Sequence, residues 1–187
     1  MSYSTAEFKK GLKIEIDGTP FAITDFQHVK PGKGGAFVRT KLKNLLTGRV
    51  IDQTFRSGEK VDKPDIVEKE MQYLYKDGDS FCLMDNETYE QIMLTEEQMG
   101  DAVLYLTENM NLQVLLFNQQ AVAVDLPNFV ELAVAQTEPG VRGDTASGGT
   151  KPATLESGAV IQVPLFINEG DRLKVDTRTG TYIERLK

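Results

Sequence analysis

The chain of 187 residues contains one cysteine, Cys82, and one histidine, His28. A lone cysteine excludes an internal disulfide, so nothing calls for an oxidising compartment. A Cys/His zinc site needs about four ligands, and one residue of each type cannot supply them; no metal and no cofactor are expected. Any Ser-His-Asp or Cys-His machinery would have to use His28, and no nucleophile-elbow pattern accompanies it. Neither a G-x-x-x-x-G-K-[ST] loop nor a G-x-G-x-x-G turn is present. No apolar run approaches the roughly 20 residues that span a bilayer. The opening Met1 to Glu7 has no basic or apolar signal region, so the cytoplasm is the expected compartment and no membrane partner is expected. A carboxylate-only enzyme stays open on composition, because 28 Asp and Glu are available.

Apolar residues make up 40% of the chain and charged residues 26%, too apolar a balance for a disordered protein. The net charge of −7 is unevenly placed. The steps Lys63-Pro64 and Leu126-Pro127 read as extended linkers, which predicts domains at 1–64, 65–127 and 128–187. The first carries 12 Lys and Arg against 7 Asp and Glu, a net of +5; the second carries 2 against 13, a net of −11; the third carries 7 against 8, a net of −1. A basic first segment can meet phosphate even in an acidic protein, whereas the middle segment should face solvent or a basic protein.

Each segment reads as small and mostly β. In the first, Lys13 to Ile16 and Pro20 to Ile23 flank Asp17-Gly18, a strong hairpin signal. Phe26 to Val29, Ala36 to Lys43 and Val50 to Phe55 complete a small SH3-like barrel, with a short capped turn at Ser4 to Glu7. In the middle segment, strands at Glu70 to Tyr75, Ser80 to Met84 and Tyr89 to Leu94 precede a helix capped by Thr95. Two more follow at Leu112 to Phe117 and Ala121 to Val124, the strand and helix order of an OB-fold. The third segment alternates at Val130, Leu132 and Val134. It then runs apolar from Val160 to Ile167, where Pro164 predicts an edge or a bulge, and continues through Leu173, Val175 and Tyr182 to Leu186 as a second small barrel. The predicted class is mainly all-β, three small barrels in series. No short-period repeat is visible.

Two segments carry candidate chemistry. Lys30-Pro31-Gly32-Lys33-Gly34-Gly35 lies between two strands, and its Pro and Gly residues bury little. They predict a tight, exposed hairpin with Lys33 at its tip: either a solvated surface turn or a lysine presented to a bulky partner. Arg39, Lys41 and Lys43 follow at period 2, so one strand face is basic. With Arg49 and Arg56 they form a candidate phosphate-contacting surface. The second segment, Pro139 to Ala153, is polar and glycine-rich, and long for a domain of this size. It reads either as a flexible loop or as a recognition loop that offers Arg142, Gly143, Asp144, Thr145 and Lys151 to RNA. His28 reads as a strand-end residue and Cys82 as core.

Several spaced motifs then carry a resemblance. They are the Lys30 to Phe37 loop, the run Met84 to Gln91, and Pro139-Gly140-Val141-Arg142-Gly143-Asp144-Thr145. The signature Lys151-x-Ala153-x4-Gly158-x4-Val163-Pro164-x5-Gly170 and the run Val175 to Gly180 complete the set. In this order they resemble the bacterial elongation factor P family over the whole chain. The factor-P-like paralogues usually depart at the lysine loop and the Arg142 to Thr145 region, so the resemblance is to the true factor. It implies a KOW or SH3-like domain followed by two OB-folds, in an L shape similar to tRNA; the chain is expected to be a monomer, and no enzyme activity is expected of it. It implies binding to the 70S ribosome between the peptidyl-tRNA and exit sites, with peptidyl-tRNA, ribosomal RNA and ribosomal proteins as partners. There the factor relieves stalling at consecutive prolines. Lys33 would reach toward the peptidyl-transferase centre, and Arg142 to Thr145 would lie near the small subunit. The family's tip residue is often extended after translation. Lys33 is compatible with β-lysylation, aminopentanol attachment or no modification, and a lysine-modifying enzyme is a partner in the first two cases. Translation initiation factor 5A plays the corresponding role in archaea and eukaryotes. An RNA-binding module of another kind and a carboxylate enzyme remain as alternative classes.

Overall fold

Asp17 and Gly18 both have positive φ, 50° and 75°, the geometry of a two-residue turn whose twist matches that of its flanking strands. They join β2 (Lys13–Ile16) to β3 (Thr19–Val29), closing the Ile16–Thr19 pair. In this computed structural model, residues 1–140 and 149–187 are described. The first sheet adds β1 (Ser2–Ser4), β4 (Phe37–Asn44), β5 (Val50–Arg56) and β6 (Lys60–Asp62), in the order β1-β6-β2-β3-β4-β5. The two runs expected at Pro20 to Ile23 and Phe26 to Val29 are one strand. A register shift between Ile23 and Asp25 marks a bulge, where the Thr24 hydroxyl donates to the Lys41 carbonyl at 3.1 Å. A bulge takes up the extra residue and increases local twist, so pairing continues. Between β1 and β2, a short 3-10 turn over Thr5–Glu7 is closed by the Ser4 N–H donating to Glu7 Oε2 at 2.7 Å. Ile14, Ile23, Val38 and Leu42 are fully buried in the core with Phe8, Phe21, Phe55 and Val61.

The middle sheet comprises β7 (Ile66–Asp77), β8 (Ser80–Asp85), β9 (Gln91–Thr95), β10 (Asn111–Phe117) and β11 (Gln120–Asp125), ordered β11-β10-β7-β8-β9. The expected helix is present as a single turn, α1 (Glu96–Met99), continued by a 3-10 turn to Tyr105. Thr95 caps it: its hydroxyl accepts from the Gln98 N–H at 3.3 Å, and Gln98 Oε1 accepts from the Thr95 N–H at 2.9 Å, a reciprocal capping box.

The third sheet comprises β12 (Phe129–Thr137), β13 (Thr150–Leu155), β14 (Val160–Pro164), β15 (Arg172–Asp176) and β16 (Thr181–Arg185), ordered β14-β13-β12-β15-β16. Its core is built on Leu132, Leu155, Val163, Ile167, Leu173 and Val175. Pro164 ends β14, an edge strand, as proline's missing N–H requires. The run expected to reach Ile167 therefore stops there. Counted from its own first strand, each of the last two sheets has the order 3-2-1-4-5, one topology used twice.

The described chain divides into two compact units, Met1–Glu68 with Leu115–Ala123, and Lys69–Val114 with Val124–Lys187. This division differs from cuts at Pro64 and Pro127. In the first unit, Leu115, Phe117 and Val122 pack with Leu45 and Ile66. In the second, Tyr105 and Met110 join the core of the third sheet.

Asp85 is the polar anchor of the middle sheet. It is buried, and its carboxylate accepts from the Glu87 N–H at 2.8 Å, the Thr88 N–H at 3.1 Å and Lys69 Nζ at 3.0 Å. The Glu87 N–H and the Lys69 ammonium hold its pKa at about 2, below the ordinary 3.8. A carboxylate with a depressed folded pKa stabilises the fold above its unfolded pKa and loses that contribution as pH falls through the folded value. Asp85 should therefore contribute fully above about pH 4 and progressively less toward pH 2. Asp85→Asn should lower stability at pH 7 and flatten the acid side of the stability profile between those limits, measured by urea unfolding at each pH. An unchanged acid limb in the variant would disprove this role.

Candidate functional site

The site begins with the β3–β4 pairing. Its register runs from Phe21–Asn44 to Val29–Phe37, which leaves residues 30–36 as the connection. Lys30, Pro31, Gly32, Lys33, Gly34 and Gly35 are all exposed. Gly34 has φ +103°, a conformation that a residue with a Cβ adopts only under strain, and a Cβ at Gly32, Gly34 or Gly35 would meet nothing within 4 Å. Lys33 has no hydrogen-bond or ion-pair partner among the described residues. The loop presents an ammonium with open space around it.

Strand β4 alternates as the sequence predicts. Val38, Thr40 and Leu42 are buried, while Arg39 and Lys41 are exposed and Lys43 is half-buried. Cross-strand pairing supplies neighbours that period-2 counting along one strand cannot. Phe37 pairs with Val29 and Arg56, Arg39 with Gln27 and Thr54, Lys41 with Asp25 and Asp52, and Lys43 with Ala22 and Val50. Directly paired residues share a face, so Lys41 stands between two aspartates. Lys10 adds an exposed ion pair to Asp25 at 3.3 Å. Nearest the loop is the Val29–Phe37–Arg56 row, where the Glu59 carboxylate accepts from the Arg56 N–H at 2.7 Å; in the next row Arg39 lies over the Phe37 ring, 5.4 Å from its centroid. Arg39, with Gln27 and Thr54 across from it, is therefore the exposed β4 cation with no acid in its own row, and it lies toward the Lys33 end. Arg49, in the β4–β5 connection, lies at the opposite end of β4.

His28 is exposed near the end of β3, edge-on to Phe26 with ring centroids 5.7 Å apart. Cys82 is fully buried in β8. Both agree with their predicted places. No group of three or more His, Cys, Asp or Glu suited to a metal occurs among the described residues.

The third-domain candidates divide. Arg142, Gly143, Asp144 and Thr145 lie outside the described residues. Lys151 does not fit the expectation of a presented RNA contact. The segment expected to be loop as far as Ala153 is strand β13 from Thr150 onward, paired as Lys151–Val163. Lys151 is buried, and its ammonium donates to the Glu138 carbonyl. Beside it the Thr137 hydroxyl donates to the Pro152 carbonyl at 2.9 Å. The lysine ties the ends of β12 and β13 together and is not offered to a partner.

Three family models match consecutive parts of the chain: the elongation factor P KOW-like domain over residues 4–61, its OB domain over 66–124 and its C-terminal domain over 130–185. Elongation factor P of Desulfitobacterium hafniense is 65% identical over 182 residues, covering 97% of this chain and 98% of that protein. That of Carboxydothermus hydrogenoformans is 59% identical, covering 98% and 99%. The chain belongs to the elongation factor P family. Elongation factor P of Helicobacter hepaticus, 53% identical, matches it end to end. A solved structure titled eukaryotic translation initiation factor 5A from Methanococcus jannaschii aligns with a TM-score of 0.49 at 26% identity, over 68% of this chain and 92% of that one.

The placement of Lys151 yields a test. Lys151→Ala removes a buried side chain and its charged hydrogen bond to the Glu138 carbonyl, so it should destabilise the chain by about 1–3 kcal/mol. An exposed recognition lysine would change stability by no more than about 0.5 kcal/mol. The urea midpoint distinguishes the two.

Proposed function

We propose that this member of a translation elongation factor family acts on the 70S ribosome between the peptidyl-tRNA and exit sites, where it promotes peptide-bond formation at consecutive prolines. The observation that carries this reading is the unpartnered, exposed Lys33 at the end of the β3–β4 hairpin. Proline is a poor nucleophile and its ring restricts the chain, so the reaction gains most from better placement of its reactants. Lys33 would hold the acceptor end of the peptidyl-tRNA by contact with RNA phosphates while the ribosome supplies the chemistry. Arg39 and Arg56, in the two rows nearest the loop, would support it with phosphate contacts of their own. A group attached through Lys33 Nζ would lengthen the arm without disturbing the loop, since the neighbouring glycines have open space around them. Peptidyl-tRNA, ribosomal RNA and ribosomal proteins are the partners of this role, joined by a lysine-modifying enzyme where Lys33 is extended. The middle segment, at net −11, would turn toward protein or solvent, because it repels phosphate.

Lys33→Ala should leave folding stability within about 0.5 kcal/mol, as for other exposed sites. It should slow peptide-bond formation on a triple-proline template on the order of 10- to 100-fold, the scale of a lost positioning contact. Ribosome affinity should fall less, since most of the contacting surface lies elsewhere. Lys33→Arg keeps the charge but changes the head group, and should fail more severely in cells that extend Lys33 than in cells that do not. A folded Lys33→Ala protein with full activity in the reconstituted assay would end the proposal.

The cross-strand pairing separates two neighbouring cations. Arg39→Glu should weaken ribosome binding and reduce its salt slope by about one phosphate contact. Lys41→Glu should do markedly less, because Asp25 and Asp52 already offset that charge. Equal effects of the two substitutions would count against a phosphate surface gathered at the loop end.

A further inference from the structure

A second cluster of lysines lies away from the Lys33 loop, around a cavity of about 320 Å³ in the first unit. Three separate segments bring Lys9, Lys13 and Lys63 to its rim. Lys9 follows the 3-10 turn, Lys13 opens β2 and Lys63 follows β6, whose end is fixed by the Lys63 N–H donating to the Met1 carbonyl at 3.0 Å. The only acid lining the cavity is Glu68, and neither Lys9 nor Lys63 forms an ion pair among the described residues. Part of the wall is apolar: the half-buried Tyr3 and Leu12 pack on the first core, and Pro64 and Leu115, both buried, also line it. Lys13 pairs with Ala22 on β3, whereas the loop begins after Val29. At about 3.3 Å per residue, roughly 20 Å of strand separates this cavity from the start of the loop.

A lining that combines aromatic and aliphatic side chains with three lysines matches a ligand with a flat, weakly polar body and an attached anion. Long lysine side chains rest their stems on apolar surface and extend the ammonium outward, which suits a phosphate at the mouth. The volume falls at the lower end of the range typical of small-molecule sites. We propose that this cavity binds a nucleotide, with the base against Tyr3 and Leu12 and the phosphate between Lys9 and Lys63. The nucleotide can be a free mononucleotide or one residue of an RNA strand, since the recognising chemistry is the same. The site does not rest on the role given to Lys33.

The test is an NMR titration of the full chain with adenosine 5′-monophosphate, with inorganic phosphate and with a short single-stranded oligoribonucleotide. Saturable shifts at Tyr3, Leu12, Lys9 and Lys63, at least tenfold tighter for the nucleotide than for phosphate, are expected. Lys9→Gln with Lys63→Gln changes only exposed side chains and should weaken the nucleotide at least tenfold. Lys33→Ala should leave it unchanged. An oligonucleotide at least tenfold tighter than the mononucleotide at these same residues identifies RNA as the source; comparable affinities identify the free nucleotide. No shifts at these residues with either nucleic-acid probe would overturn the proposal. So would affinity insensitive to the double substitution, or phosphate binding as tightly as the nucleotide.

Discussion

The antiparallel register of β3 on β4 governs both the reach of Lys33 and the charge around it. At one end the pairing is anchored in the core, where Ile23 and Leu42 are fully buried and oppose each other directly. At the other it runs to Val29–Phe37, with His28 exposed and Val29 half-buried. The hairpin thus has a buried root and a more exposed end. Backbone hydrogen bonds to both neighbouring strands hold β4 throughout, and residues 30–36 begin only where pairing with β3 ends. A slip of one residue would exchange the two faces of the strand, burying Arg39 and Lys41 and exposing Val38 and Leu42. The apolar inner row therefore fixes the cationic outer row, and stability and presentation of the loop share one constraint.

Net charge per segment is a coarse guide to this surface. The sum of +5 over residues 1–64 describes no single face: Lys41 faces Asp25 and Asp52, Lys10 is paired with Asp25, and Arg49 is at the far end of its strand. Surface ion pairs contribute little to stability, but they cancel the local field that a phosphate would meet. What remains, exposed and with no acid directly across from it, lies toward the loop end, at Arg39 and at Lys30 and Lys33, whereas Glu59 stands at the Arg56 backbone.

Legibility in the sequence followed how local the determining interaction was. Asp17-Gly18 specified its hairpin because two adjacent residues set the turn, and Thr95 specified a helix start because its cap closes within three residues. Pro164 marked an edge strand through its own missing donor. The exposed Lys33 loop was legible from its glycines alone. β1 and β6, three residues each, carry too little periodicity to be seen, and they exist because they pair with each other. Lys151 was misplaced because its role depends on the Glu138 carbonyl 13 residues away. A polar residue beside a glycine-rich run looks exposed until the strand that contains it is known. The aspartates opposite Lys41 were hidden for the same reason, since register across two turns is a long-range property.

The last two sheets show the converse, a shared architecture with no visible shared sequence. Both place their first strand at the centre, pair it with their second and fourth, and leave their third and fifth at the edges. That order requires apolar residues at inward positions and turns of suitable length, and little else. The connection from third to fourth strand is a helical turn continued by a 3-10 segment over residues 96–105 in the middle sheet. In the third sheet it is a short turn over 165–171, whose Ile167 is fully buried in the core. Either solution covers the core. Outward positions are then free of the fold, which is how one topology carries a net of −11 in the middle segment and −1 in the last. Selection on partners can act on those positions with little cost in stability, since exposed substitutions seldom change it by more than about 0.5 kcal/mol. The charge differences between the barrels are therefore better read as a record of what each one meets than as a consequence of how each one folds.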